Sequence, residues 1–179
     1  MHVGLILAAG SGSRLGTPKA SLVVGGQRLV DRAINNFTSA GVSEIYVVLG
    51  AWQGVVEGAH VIVNENWQDG MASSLKIGLE HISKNTAATD VTISLVDLPG
   101  MTPDAIREVV QSSHDIVVGT FAGKPGHPVK FARATWPELA ASATGDQGAR
   151  SFIANHPEEI VLVEVGDVAT GEDMDERPI

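Results

Sequence analysis

Cysteine is absent from all 179 residues, which rules out a disulfide framework, a Cys-ligated zinc site and an iron–sulfur cluster. No apolar run reaches the roughly 18 residues a membrane span requires, and the N-terminus lacks the basic flank and long apolar segment of a secretory signal. The expectation is therefore a cytoplasmic protein that does not contact a membrane. Cations are scarce as well: 12 Lys and Arg stand against 21 Asp and Glu, a net charge of −9. Broad contact with a nucleic-acid backbone needs many clustered cations, so this balance argues against a nucleic-acid partner. The sequence contains no repeat, linker or low-complexity segment, and its length suits a single domain over 1–179 with a substantial core.

The few cations that are present gather in one place. The stretch from Leu5 to Lys19 begins as an apolar run, read as a buried strand over Val3–Ala9, and then breaks into Gly10, Gly12 and Gly16, interleaved with serines and followed by Lys19. Glycines tolerate positive φ and allow close approach, so successive amide N–H groups can turn toward one anion. Arg14 and Lys19 add the positive charge that a triphosphate needs. A P-loop is excluded because Gly16 is followed by Thr17-Pro18-Lys19, which fits the Gly-Lys-Ser/Thr pattern in no register. The dinucleotide fingerprint also fails, since the glycines are spaced too widely and the second strand ends in Gly50-Ala51-Trp52 without an acidic residue for a ribose.

Along the rest of the chain, apolar runs alternate with amphipathic stretches, the pattern of a largely parallel sheet with helices on its faces. Strands are expected at Glu44–Leu49, His60–Val63, Val91–Val96, Asp115–Thr120, Val129–Arg133 and Glu159–Val165. Helices are expected over Leu29–Ala40 with Gly41 as the stop, about Ser73–Ser83, from Pro103 with Thr102 as N-cap, over Trp136–Ser142 and over Gln147–His156. Ser21–Val24 reads as a short extended piece closed by Gly25-Gly26, and 51–58 is ambiguous. Gly123–Pro128 reads as a loop, and 166–179 as an acidic, unpatterned tail.

Asp97 follows the most convincing central strand directly, with Pro99 and Gly100 turning the chain away behind it. That places a carboxylate at the carboxyl edge of the sheet, where open α/β proteins bind ligands. An oxygen ligand there suits Mg²⁺, which takes one or two protein carboxylates and completes its shell with water and phosphate oxygens. The alternative for Asp97 is a cap on the following turn. Ser73 and Ser74, at a helix start, read either as an N-cap or as ligand contacts. His81, His114 and His156 are expected to be solvated, and Trp52 and Trp136 to serve packing.

The run Leu7-Ala-Ala-Gly-x-Gly-x-Arg-x-Gly-x-Pro-Lys19 resembles the signature loop of nucleotidyltransferases, and within them the molybdenum cofactor cytidylyltransferase and guanylyltransferase family. The same family's segments resemble Asn64-x-x-Trp-x-x-Gly70-Met-x-Ser73-Ser74-Leu, Asp97-Leu-Pro, Gly123-Lys-Pro-Gly-His127-Pro-Val and Gly145-Asp146-Gln-Gly-Ala-Arg150. The resemblance implies a three-layer α/β/α Rossmann-like nucleotidyltransferase fold with a mostly parallel central sheet. It implies that Leu7, Ala8, Ala9, Gly10, Gly12 and Ser13 hold the nucleotide with Arg14 and Lys19, that Asp97 holds the metal, and that Asn64, Gly70, Ser73 and Ser74 border the base. It places His127 and Asp146 on the side that receives the pterin substrate, a merely exposed loop histidine and a cap on the helix that follows Asp146 being the alternatives. The family usually closes with Asp-Ile-Asp-Thr-Pro-Glu-Asp and a last helix. Here Asp173-Met-Asp175 is kept and the rest is not, so Asp175 is the candidate second metal contact, with Asp173 behind it; a solvated acidic tail is the alternative.

The activity so implied is transfer of a nucleoside monophosphate from CTP or GTP to the phosphate of molybdopterin, with release of pyrophosphate and delivery of the product to a recipient molybdoenzyme. Leu-Ala-Ala-Gly, where guanylyl members usually have Leu-Ala-Gly-Gly, favours CTP. A sugar-phosphate nucleotidyltransferase and a non-catalytic carrier of finished cofactor are the alternatives.

Overall fold

The computed structural model describes residues 1–174. Its central sheet has seven strands in the order β5-β4-β1-β6-β8-β7-β9. These are β1 (His2–Ala8), β4 (Glu44–Leu49), β5 (His60–Val63), β6 (Asp90–Leu95), β7 (Ile116–Phe121), β8 (Lys124–Ala132) and β9 (Ile160–Glu164). A two-stranded ribbon of β2 (Val23–Val24) and β3 (Gln27–Arg28) stands apart. All sheet pairs are parallel except those of β8, which runs antiparallel to β6 and β7. The helices are α1 (Leu29–Ser39), α2 (Met71–Asn85), α3 (Pro103–Gln111), α4 (Trp136–Ser142) and α5 (Arg150–Asn155).

Alternation along β1 explains why this strand is apolar on both faces. Val3, Leu5 and Leu7 enter the core beneath α2, α4 and α5, whereas Ile6 and Ala8 enter the core beneath α1 and α3. A strand covered on both sides loses the polar alternation of a half-exposed one. Helix α1 ends as expected: Gly41 adopts φ 93°, with Val42 N donating to Phe37 O (3.1 Å) and Gly41 N to Thr38 O (3.0 Å), a Schellman closure. Thr102 caps α3, its hydroxyl accepting from Ala105 N at 3.3 Å.

Strand order reverses at β1. The chain goes from β1 to β4 and β5 on one side, then returns to lay β6 against the other. The register pairs Leu7 with Leu95, and Val96 N donates to Leu7 O at 3.1 Å. The glycine loop and the Asp97 turn therefore leave adjacent strands at one carboxyl edge, the crevice where such sheets bind ligands.

Three expectations need correction. Gly123–Pro128 is largely strand: Ala122 (φ 51°) and Gly123 (φ 76°) form a tight turn with both central φ positive, so β8 begins at Lys124 and pairs at once with Phe121. Helix α5 starts only at Arg150 because Gly145 (φ 50°) and Gly148 (φ 53°) hold the preceding segment out of helical conformation. The tail up to residue 174 packs on the molecule: Val165 and Ala169 are buried, Thr102 Oγ1 donates to Val168 O (3.0 Å), Thr170 N to Gly100 O (3.1 Å) and Met174 N to Asp97 O (2.9 Å).

Glu164 ties the β7–β8 turn to the end of β9. Its carboxylate accepts from Gly123 N (2.9 Å), Thr120 Oγ1 (2.8 Å), Ala122 N (2.8 Å) and Gly166 N (3.0 Å). These donors, the Gly123 amide foremost, hold its pKa down at about 2 against an ordinary 4.5. A depressed carboxylate stabilises the fold fully above its unfolded pKa, and the contribution fades as pH falls toward the folded value. Glu164→Gln is expected to lower Tm at pH 7, with the gap to wild type closing as pH falls from about 4.5 to about 2. Thermal melts over that range check it; a gap unchanged at the acid end would contradict the assignment.

Candidate active site

Glycine loop and Asp97 turn together wall a cavity of about 380 Å³. Buried Leu15 and Ala20 anchor the loop on the core side, leaving Leu7, Ala8, Ala9, Gly10, Ser11, Gly12 and Ser13 along the cavity, with Lys19, Gly70, Ser74, Asp97 and Asp146 opposite. Gly12 sits at φ 60°, and a Cβ there would fall 2.0 Å from Thr17 O. Both the backbone conformation and the space therefore require glycine. Gly12→Ala is expected to weaken nucleoside triphosphate binding at least about tenfold by displacing the loop. Calorimetry on the folded variant measures this; unchanged affinity would mean the loop does not hold the nucleotide.

Lys19 and Asp97, 78 residues apart in sequence, meet at the rim: Nζ donates to Oδ2 at 2.5 Å, and their side chains are only 18% and 16% exposed. The other carboxylate oxygen, Oδ1, is buried and accepts no hydrogen bond among the described residues. A buried carboxylate oxygen without a donor is costly unless a cation takes it. The residues present thus fit a divalent metal ion on Asp97. Among the described residues no group of three His, Asp or Glu could enclose a metal, and a Mg²⁺-type site needs none, since phosphate oxygens and water complete its shell. Asp175, the expected second contact, lies outside the described residues; Asp173 is exposed.

Arg14 is exposed and does not line the cavity, unlike Lys19. Asn64 and Ser73 are also set back from it. Asn64 is buried and works as a bracket: its Nδ2 donates to Ser73 Oγ (2.8 Å) and Ser74 Oγ (2.9 Å), and its Oδ1 accepts from Asn66 N (3.0 Å). Ser73 is no N-cap, because its hydroxyl lies 2.8 Å from Gly70 O and 3.1 Å from Asn66 O, both acceptors. Of this group, Gly70 and Ser74 reach the cavity.

Asp146 caps α2 instead of the helix that follows it, accepting from Met71 N at 3.3 Å, while Ala72 N donates to Gly145 O at 2.8 Å. Gly70 permits this approach: it adopts φ 95°, and a Cβ would fall 2.6 Å from the Gly145 carbonyl. His127 lies in a neighbouring cavity, its Nδ1 3.3 Å from Ile93 O. Burial lowers its pKa below the ordinary 6.5, so the ring is neutral at pH 7. His156 is not solvated. It stacks on Phe152 at 4.2 Å, and its Nε2 lies 3.1 Å from Glu138 Oε1, while His114 is exposed as expected and His81 is half-buried against Tyr46. Trp136 is buried and Trp52 half-buried under the Arg28 guanidinium, both in packing roles.

Sequence reasoning assigned no role to Trp67, Gln68 and Met71, which line the nucleotide-side cavity, or to Arg150, which lines the neighbouring one. All four lie inside or beside the quoted motifs, which was the available signal.

The MobA-like NTP transferase domain family matches residues 4–160. Nicotine blue oxidoreductase of Paenarthrobacter nicotinovorans is 31% identical over 191 residues, covering 96% of this chain and 91% of that protein. The crystal structure of Rv0371c from Mycobacterium tuberculosis H37Rv superposes with a TM-score of 0.81 at 27% identity, covering 96% of this chain and 92% of that one. A structure of Rv0371c in complex with manganese gives a TM-score of 0.79 at 24% identity, covering 97% and 93%.

Proposed function

Since the chain belongs to the MobA-like NTP transferase domain family, we propose that it transfers a nucleoside monophosphate from CTP, in preference to GTP, to the phosphate of molybdopterin. The observation that carries this reading is the Lys19–Asp97 contact of 2.5 Å, at the rim of a cavity edged by the glycine loop. An ammonium and a carboxylate so close serve one triphosphate, the first on its phosphate oxygens and the second on the metal that accompanies them. Mg²⁺ is the metal proposed, Mn²⁺ being present in a complex of Rv0371c. Asp97, with Asp175 as the second candidate, would hold it, and it would supply charge neutralisation on the phosphates.

No side chain need act as a base. A phosphate monoester with a second pKa of about 6 is already largely dianionic at neutral pH, and the site offers no His–carboxylate pair near Asp97 among the described residues. The chain's own contribution is positioning: loop amides and Lys19 orient the triphosphate, and Gly70 and Ser74 border the space for the base. No helix of the described chain is long and apolar enough to cross a membrane, and a cytoplasmic enzyme that hands its product to a recipient molybdoenzyme is the corresponding cellular reading.

Pyrophosphate release with CTP or GTP, Mg²⁺ and molybdopterin tests this. The expected result is release with CTP that exceeds release with GTP. Binding of the finished dinucleotide without any release would instead identify a carrier. The name of the Paenarthrobacter relative favours a second reading, a redox activity on the same fold. It requires a redox co-reactant and gives no pyrophosphate release.

A further inference from the structure

Segment 165–174 runs from the end of β9 to the Asp97 turn. At its start Val165 N donates to Thr120 O (2.9 Å), and at its end Met174 N donates to Asp97 O (2.9 Å). Between them Val168 O accepts from Thr102 Oγ1 (3.0 Å) and Thr170 N donates to Gly100 O (3.1 Å). Val165 and Ala169 are buried in one cluster with Val96, Leu98 and Met101, and Met174 packs against it. The chain on both sides of Asp97 therefore shares its core with this segment. Gly100 is where the two come closest: a Cβ there would fall 1.9 Å from Thr170 Oγ1 and 3.3 Å from Thr170 O. A side chain at that position would push the segment away or turn Thr170, whose branched Cβ leaves it few rotamers.

These contacts gather at a residue that needs support. Strand β6 ends at Leu95, and Val96 N makes the last bond to β1, donating to Leu7 O at 3.1 Å. Asp97 lies one residue beyond, with Oδ2 on Lys19 and with Oδ1 buried and unpartnered among the described residues. We propose that segment 165–174 is a positioning element for Asp97: the Met174 amide fixes the carbonyl of that residue, and Thr170, seated against Gly100, fixes the turn behind it. The carboxylate is thereby held ready for the cation that accompanies the triphosphate. The inference rests on the metal-binding role proposed above for Asp97 and adds the residues that stand behind it. Mg²⁺ demands near-ideal geometry of its ligands, and loss of a group that orients such a ligand typically costs about 10- to 100-fold in metal affinity.

Calorimetric titration of CTP in Mg²⁺ and in EDTA on the full chain tests this, with thermal melts as the fold control. The variants are Met174→Pro, Met174→Ala, Gly100→Ala and the double variant Gly100→Ala with Thr170→Ala. Proline deletes the N–H that reaches Asp97 O, whereas alanine keeps it. Where wild type gains at least about tenfold in affinity from Mg²⁺, Met174→Pro is expected to gain less than about threefold and Met174→Ala to gain as wild type does. In EDTA the affinity of Met174→Pro should stay within about twofold of wild type, because Lys19 and the glycine loop are untouched. Gly100→Ala should lose the Mg²⁺ gain as well, and the double variant, which lacks the obstructing hydroxyl, should recover it. A full Mg²⁺ gain in Met174→Pro, equal losses in the proline and alanine variants, or an equal drop in EDTA and in Mg²⁺ would each overturn the proposal. If Met174→Pro does not fold, the Gly100 pair decides: a full gain in Gly100→Ala, or no recovery in the double variant, overturns it. A wild type that gains nothing from Mg²⁺ would overturn the metal-binding reading of Asp97 instead, so the two failures are told apart.

Discussion

Asp97→Ala is expected to lower turnover by about two to three orders of magnitude, the scale of losing one preorganised electrostatic contact in a transition state. The side chain does two things at once: Oδ2 engages Lys19 at 2.5 Å, and Oδ1 is buried with no donor among the described residues. Its removal leaves the Lys19 ammonium in the cavity, still able to attract a triphosphate. The loss should therefore appear in kcat and in the response to divalent metal far more than in KM for CTP. The turn itself should survive, because its backbone contacts are independent of the carboxylate: Met174 N donates to Asp97 O, and Met101 N to Leu98 O. Steady-state kinetics with circular dichroism as a fold control measure the effect. A variant within about tenfold of wild-type turnover would remove Asp97 from the mechanism.

Lys19→Ala should cost turnover by a similar factor, about two to three orders of magnitude, but with a different signature. Without the ammonium, Asp97 faces the triphosphate as a bare carboxylate, a like charge at close range in a partly buried site. KM for CTP should rise along with the fall in kcat, and the variant should depend more steeply on divalent metal than wild type does. Lys19 Nζ stands 2.5 Å from Asp97 Oδ2, an ammonium against the carboxylate. On the proposed reading, nucleotide binding would exchange one partner for another: the ammonium would engage phosphate oxygens and the carboxylate would hold the metal. Near-normal kcat and KM in Lys19→Ala would contradict this exchange.

Much of this was readable from the residues because the relevant signals are local. The apolar run of β1, the β-branched run of β6 and the Thr102-Pro103 start of α3 each carry their structure within a few residues. The meeting of Lys19 and Asp97 also followed, since a parallel strand order puts both loops at one edge. What stayed hidden depends on partners distant in the chain. Asp146 caps a helix that starts 75 residues earlier, and an Asp before a helix gives no sign of which N-terminus it serves. The Gly-Lys-Pro-Gly-His-Pro run has the composition of a loop, yet pairing with β7 through a tight turn makes it strand. Asn64 and Ser73 sit in a motif that reads as ligand contact, but a buried amide with two hydroxyl partners is satisfied within the protein and acts by holding Ser74 in place. The tail's docking on Gly100 and Asp97 runs through backbone groups, which leave no mark in residue type.

The central claim is that Lys19 and Asp97 serve a single metal-accompanied triphosphate. Calorimetric titration of CTP in Mg²⁺ and in EDTA, on wild type, Lys19→Ala and Asp97→Ala, tests it most directly. Wild type should gain at least about tenfold in affinity from Mg²⁺, Lys19→Ala should gain at least as much from a weaker starting point, and Asp97→Ala should gain nothing. A full Mg²⁺ gain in Asp97→Ala would contradict the claim.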